Sequence, residues 1–341
     1  MISLKARLAA GVLVLVSLPL HAATVPISRI VAAADAFLAT LDEGERKKVL
    51  YAFDDERQRE RWSNLPVTMV SRGGISLKDM TAGQKSAALK LVASTLSPAG
   101  FEKVRQIMEG DEINQQQSGS RRQSEPMFGR DLFYISILGT PSEKTPWMLQ
   151  FGGHHLALNI TMVGTRDTLT PTLTGAQPAI YKLGDKTVRP LKGESDKAIA
   201  LLKSLDDKQR TEAILNYRVA NLVLGPGEDG KAIQPEGLEA SKMTERQRTM
   251  LLDLISEWTG IIEENAAAAR MAEMKADLEH TWFAWSGPVE VAAGSNVTAY
   301  YRVQGPHLVI EYAPQGGDPA MHIHTMYRDP TNDYGARFLS K

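Results

Sequence analysis

Two stretches of this chain, 131–163 and 281–328, are rich in β-branched and aromatic residues, and a long run of helical pattern separates them. A buried strand must have its backbone hydrogen bonds made. Each zone therefore closes a sheet of its own or pairs with the other across the intervening chain. The later zone reads as an antiparallel meander, "TWFAWSG", "TAYYRVQG", "HLVIEYA" and "MHIHTMY", with short connections. The earlier one holds "DLFYISIL" and then "TPWMLQFGGHHLALNITMV". That second run is longer than an ordinary strand of ~5–6 residues, so Gly152-Gly153 is expected to bend or bulge it.

The helical signals fall in two blocks. In the N-terminal third, Ile30, Ala34 and Leu38 share one helical face, and "ERKKVLYAFDDERQRERW" continues as a charged helix. Thr81 to Gln84 has the capping-box form, and Ser97 before Pro98 opens a third helix running to about Glu112. The polar segment 114–126 reads as an exposed loop. In the second block, Ser195 and Asp206 are expected caps within 195–215. An exposed glycine- and proline-rich loop follows at 224–237, then a second capping box at Thr244–Gln247 and two more helices. The expectation is one intertwined α+β domain over 24–341. Its helical N-terminal third and second helical segment pack on an antiparallel sheet built from 131–163 and 281–328.

The chain opens with "MISLKARLAAGVLVLVSLPLHAATVP". Lys5 and Arg7, an apolar run from Leu8 to Leu20 and the small residues of "HAA" follow the order of a secretory signal, with cleavage after Ala22 or Ala23. The apolar run is too short for a finished span of a ~30 Å bilayer. The expectation is a periplasmic or secreted protein with a cleaved signal over 1–23 and no stable membrane span afterwards; an uncleaved anchor is the alternative. No cysteine is present, so the protein relies on its core in an oxidising compartment. Any metal must then be held by nitrogen and oxygen. With 39 basic against 40 acidic residues, nucleic acid is not an expected partner.

Histidine placement is the strongest chemical signal. Four of the histidines form two doublets, His154-His155 and His322 with His324, one in each β zone. Residues i and i+2 of a strand face the same way, ~6.6 Å apart, so His322 and His324 can reach one ion. In a regular strand only one of His154 and His155 could face it; the polar neighbours favour His155 and Gly153 leaves His154 open. Two or three histidines with a carboxylate suit zinc, iron, copper or manganese. Glu311 shares a strand face with His307 and could be a ligand or orient one. Arg328 could hold an anionic ligand through its planar fork, with Asp329 as a base or histidine partner. The blander alternatives are a metal-free polar cluster for the histidines, and an internal salt bridge plus a turn for "RDPTNDYG". No "HExxH", "GxSxG" or P-loop spacing occurs.

Taken together, "SRGGISLKDMTAGQKSAALKLVASTLSPAGFEKVRQIM", "WMLQFGGHHLALNITMVG", "TWFAWSG" and "YYRVQGPHLVIEYAPQ…HIHTMYRDPTNDYG" resemble the domain of unknown function 3500 family over nearly the whole mature chain. The resemblance implies an uncharacterised protein, of a kind in which many members carry an export signal. The family's "GHH" and "HIH…RD" signatures map to His154, His155, His322, His324, Arg328 and Asp329, and the family supplies no role for them.

The leading expectation is therefore an exported protein with a histidine-rich, metal-dependent site that hydrolyses or oxidises a small molecule, an anionic one if Arg328 binds it. The alternatives are a non-catalytic periplasmic metal- or anion-binding protein and a metal-free structural envelope protein. Neither the reaction nor the oligomeric state is legible in the sequence.

Overall fold

The computed structural model describes residues 27–117 and 126–339. The expected signal segment, and 118–125 of the expected loop, lie outside the described residues. No helix among the described residues is long and apolar enough to cross a membrane.

The fold is α+β. The N-terminal helices are α1 (Ile27–Ala39), α2 (Glu43–Val49), α3 (Glu56–Arg59), α4 (Ala82–Ser94) and α5 (Pro98–Gln117). The second block holds α6 (Lys192–Ser204), α7 (Asp207–Ala213), α8 (Glu245–Thr259) and α9 (Glu264–Ala276), and α10 (Ala336–Leu339) closes the chain. Both expected capping boxes form, with Thr81 accepting from Gln84 and Thr244 from Gln247. Ser97 caps α5 through Gly100 N at 2.9 Å, and Asp206 caps α7. Ser195 does not cap α6, which begins at Lys192; its buried hydroxyl instead accepts from Val297 N at 2.8 Å. The charged helix expected over 45–62 is broken. Leu50–Tyr51 leaves it as strand β1 and pairs in parallel with Ile137 and Leu138, and Asp55 caps the short α3 beyond it.

The remaining strands are β2 (Ile75–Ser76), β3 (Tyr134–Leu138), β4 (Trp147–Gly152), β5 (Leu156–Val163), β6 (Arg166–Thr168) and β7 (Thr172–Ala176). They continue with β8 (Tyr181–Leu183), β9 (Lys186–Val188), β10 (Leu238–Glu239), β11 (Trp282–Ser286), β12 (Tyr300–Gly305), β13 (Leu308–Pro314) and β14 (Ile323–Arg328). All but β8 and β9 belong to one 12-stranded sheet, in the order β1-β3-β4-β5-β7-β14-β13-β12-β11-β10 with β2 and β6 attached at its margins. The two β zones do join, through a strand that was not expected. Central β7, with sequence "TLTGA", pairs with β5 on one side and β14 on the other. The glycine pair does not bend one strand; it begins the turn that folds β5 back antiparallel on β4. The meander is as expected except that the chain between β11 and β12 makes a long excursion over 287–299.

The two faces of the sheet differ. Ile137, Leu149 and Ile160 on one half, and Phe283, Val303 and Ile310 on the other, point to the same side and meet the helices. Alpha helices α1, α4 and α5 build one core there, and α6 and α8 the other. Each large apolar side chain so buried contributes about 1.5–3 kcal/mol. The opposite face carries Ser136, Gln150, Asn159, His324, Glu311 and Arg302. Chain segments rather than long helices cover it. Gln58 donates to Ser136 and Gln150 at 3.2 and 3.0 Å, and Trp62 packs on Ala157, Leu173 and Met326.

Candidate functional site

His154 and His155 lie in the turn between β4 and β5, so strand alternation does not govern them. His322 and His324 enter from the start of β14, with β7 between the two pairs. Gly175 of β7 stands opposite His324. A Cβ there would lie 3.0 Å from Cδ2 of both His155 and His324 and 2.9 Å from the Ile323 carbonyl oxygen. Glycine at 175 is what lets the two rings close over this strand.

Three imidazoles converge. His322 Nε2 lies 3.3 Å from His155 Nε2 and 3.1 Å from His324 Nε2. His155 and His324 are buried, and His322 is half-buried and borders solvent. A carboxylate from the helical layer fixes one ring. Asp111 of α5, itself buried, places Oδ1 2.6 Å from His155 Nδ1. An ionised carboxylate only accepts, so the His155 proton sits on Nδ1 and Nε2 presents its lone pair to the other rings. From the loop layer, Asn64 Nδ2 lies 3.1 Å from His324 Nδ1. A half-turn of that amide presents Oδ1 to an Nδ1 proton and frees His324 Nε2 in the same way.

These separations matter because a ring nitrogen carries one proton or one lone pair. His322 Nε2 can make at most one well-aligned hydrogen bond to its two neighbours. A cation among the three nitrogens satisfies all of them. With metal–nitrogen bonds of ~2.0–2.1 Å, tetrahedral ligand atoms stand ~3.4 Å apart, close to the two contacts observed. His155, His322 and His324 form a group whose ligand atoms all lie within 4.8 Å and could hold a metal ion.

His322 and His324 are also held in the ligand form. Burial, then the neighbouring imidazoles His155 and His154, pushes His322 down to about 3. Burial, His155 and His322 push His324 well below the usual histidine range. Burial raises Asp111, but its contacts with His155 and His154 outweigh that and hold it at about 2.

His154 stands apart from this convergence. Its ring packs in tilted fashion against His155 and Phe128, with centroids 3.6 and 4.7 Å apart and interplanar angles of 44° and 40°. Its Nδ1 lies 3.4 Å from Asp111 Oδ1 without a hydrogen bond. It belongs to a second group that could hold a metal, Asp111–His154–His155, which shares His155 with the first. Burial, then His155, lowers His154 to about 4.

Glu311, Arg328 and Asp329 are engaged elsewhere. Glu311 accepts from Val223 N, Leu224 N and the Tyr300 hydroxyl at 2.7–2.8 Å, fixing the loop over the sheet. Arg328 lies four residues along β14 from His324, ~13 Å at strand rise. It spends its fork on the Leu224 and Gly225 carbonyls and on Asp229 and Asp333. Asp329 accepts from Thr331 N and its hydroxyl at 3.0 and 2.7 Å and pairs with Arg270 and Arg337 at 3.0 Å. The arginine fork is filled by the protein itself, which removes the motive for an anionic ligand there. The loop expected to be exposed over 224–237 is correspondingly buried at Leu224 and Gly225 and half-buried at Asp229, where Arg328 grips it.

Asp111, Asn64 and Gly175 were not expected at the site. Asp111 leaves one trace in the sequence. Val104, Ile107 and Met108 form an apolar helical stripe, and Asp111 occupies its next position. An acid on a buried stripe requires a partner. Asn64 lies in an irregular segment and carries no such signal.

No curated protein and no solved structure matches the chain. The model of a family described as a protein of unknown function, DUF3500, matches residues 23–336, and the chain belongs to that family.

Proposed function

We propose that this protein is an exported metalloprotein in which His155, His322 and His324 hold one divalent transition ion, zinc foremost, at a centre that acts on a small molecule. The observation that carries this reading is the convergence of three Nε2 atoms, two contacts of 3.1 and 3.3 Å, on a ring oriented by Asp111. Carboxylate–histidine pairs of this kind orient metal ligands and raise their basicity. Three protein ligands, with half-buried His322 on the solvent side, resemble a centre that keeps a position open rather than a closed four-ligand structural site. A bound divalent ion supplies a Lewis acid for hydrolysis or, if redox-active, a route to oxidation. The chain's own part is positional: Asp111 and Asn64 fix two rings, and Arg72 ties the Asn64 segment to Gly153 through carbonyl contacts at Ser63, Leu65 and Gly153.

Elemental analysis of the purified mature protein tests the proposal. A stoichiometric transition metal is expected, lost in His322→Ala with the circular dichroism spectrum unchanged. Protein that carries no metal and takes up neither zinc, iron, copper nor manganese on titration would overturn it and leave the metal-free envelope protein. A metal-loaded protein inert towards a panel of ester, amide and phosphoester substrates and towards oxidisable phenols would reduce the reading to a metal binder.

A further inference from the structure

Beside the three converging imidazoles, His154 Nδ1 is buried and makes no hydrogen bond among the described residues. A polar atom buried without a partner costs free energy. The His154 ring is not loose. It packs against His155 and Phe128, with centroids 3.6 and 4.7 Å away. Phe128 is itself tied to α5, where its backbone N donates to Gln115 Oε1 at 3.1 Å. Held in this way, His154 Nδ1 stands 3.4 Å from Asp111 Oδ1.

That distance is a ligand spacing. Two donor atoms ~2.0–2.1 Å from one tetrahedral ion stand ~3.4 Å apart. His155 Nδ1 completes the group, and the three ligand atoms all lie within 4.8 Å of one another. Two histidines and a carboxylate are a recurrent donor set for zinc. One contact differs. His155 Nδ1 shares its proton with Asp111 Oδ1 at 2.6 Å, too close for both atoms to bind one tetrahedral ion. An ion here must take the place of that proton and open the contact from 2.6 to about the 3.4 Å at which Oδ1 already stands from His154. A carboxylate turning about its broad terminal torsion supplies a movement of that size.

We propose that Asp111, His154 and His155 form a second metal site, so that the centre holds two divalent transition ions bridged by the His155 ring. The inference rests on the reading that a first ion is bound by His155, His322 and His324. That ion takes His155 Nε2. The second breaks the Nδ1–H bond as its own bond to Nδ1 forms, and the proton leaves to water. His154 Nδ1 and an Asp111 oxygen complete its protein ligands. The first ion prepares the exchange, because a cation on Nε2 loosens the proton on Nδ1. The two ions stand ~6 Å apart, an imidazolate ring plus two bonds of ~2.0–2.1 Å. Asp111 and the imidazolate place two negative charges beside the second ion. All three of its ligands are buried, so the first ion, beside half-buried His322, is the one that meets substrate.

Copper(II) is the probe, since an imidazolate couples the spins of two copper ions across it. Metal-free protein is titrated in excess glycine, which strips copper from exposed histidines such as His280, and the bound ions are counted and followed by electron paramagnetic resonance. Wild type is expected to bind two equivalents. The first should give its full signal, and the second should lower the total to half or less of that of two isolated ions. His154→Ala should bind one equivalent at full signal, with circular dichroism confirming its fold. The proposal is overturned if wild type binds a single ion, if two ions bind with uncoupled spins, or if His154→Ala takes up both as well as wild type does. A single ion in both proteins leaves the first site standing and removes only the second. Wild type that binds neither copper nor zinc removes both.

Discussion

Asp111 Oδ1 lies 2.6 Å from His155 Nδ1, both groups fully buried, and this contact decides which nitrogen of His155 is free. Replacing Asp111 by asparagine keeps the size but removes the charge, and its amide can turn a donor towards Nδ1. Metal affinity should fall about 10–100-fold, as for other orienting partners of ligand histidines. Competition titration against a chromogenic chelator measures it; an unchanged affinity would show that the carboxylate does not tune the centre.

The histidines around the centre should contribute to the pH dependence of the metal-free protein. His322 is lowered to about 3 and His154 to about 4, against an ordinary 6.5. Between those limits the two rings bind protons in the unfolded chain and not in the folded one, so their contribution to stability falls as pH falls, whereas the carboxyls of Asp333, raised to about 6 by burial, and Asp167, raised to about 7 by burial, act in the opposite sense. The contribution of the rings should be fully present above ~6.5 and lost progressively towards ~3. Denaturant titrations across that window, on wild type and His322→Ala, should show a shallower pH slope in the variant. Because folded His322 and His324 are already neutral at pH 6.5, proton competition at those two rings should weaken metal binding only at lower pH.

Gly175→Ala tests the crowding at the centre. The added methyl would stand 2.9–3.0 Å from the Ile323 carbonyl and from two imidazole carbons. Overpacking of this kind costs about 1–3 kcal/mol, and displacement of the His155 and His324 rings should lower metal affinity while the secondary structure persists. Thermal melts with metal titration separate the two effects. Normal affinity would mean that the rings yield without losing their geometry.

Arg328 should matter for stability and not for metal. Arg328→Met would strand Asp229 and Asp333, now 3.0 and 2.8 Å from its Nη1, at a cost of roughly 3–5 kcal/mol. Arg328→Lys keeps a charge but loses the contacts to Leu224 and Gly225, and should fall between wild type and methionine. Metal content should be unchanged in both. Loss of metal with retained stability would place Arg328 at the centre after all.

Export predicts a mature N-terminus at Ala23 or Thr24, from the apolar run and "LHAA". N-terminal sequencing of the envelope fraction checks this, and an intact Met1 on cytoplasmic protein would refute it.

Local chemistry wrote much of this fold into the sequence. The capping boxes at Thr81 and Thr244 form because a side chain three residues from its partner needs no distant help. The strands of the meander follow from β-branched and aromatic runs, and the two histidine doublets were visible as the chemistry each β zone carries. What joins those zones was not visible. Residues 172–176, rich in threonine and set between Pro171 and Pro178, read as a connection until β5 and β14 supply partners on both sides. Tyr51 leaves a helical pattern because Leu138 offers it a strand to pair with. The site divides in the same way. The sequence named the histidines, but only the tertiary structure could bring Asp111 from one layer and Asn64 from the other onto them, and send Glu311, Arg328 and Asp329 to hold loops. The physical reason is that a residue type fixes which bonds a group can make, whereas the partner that takes them is set by sheet register and layer packing between segments far apart in the chain.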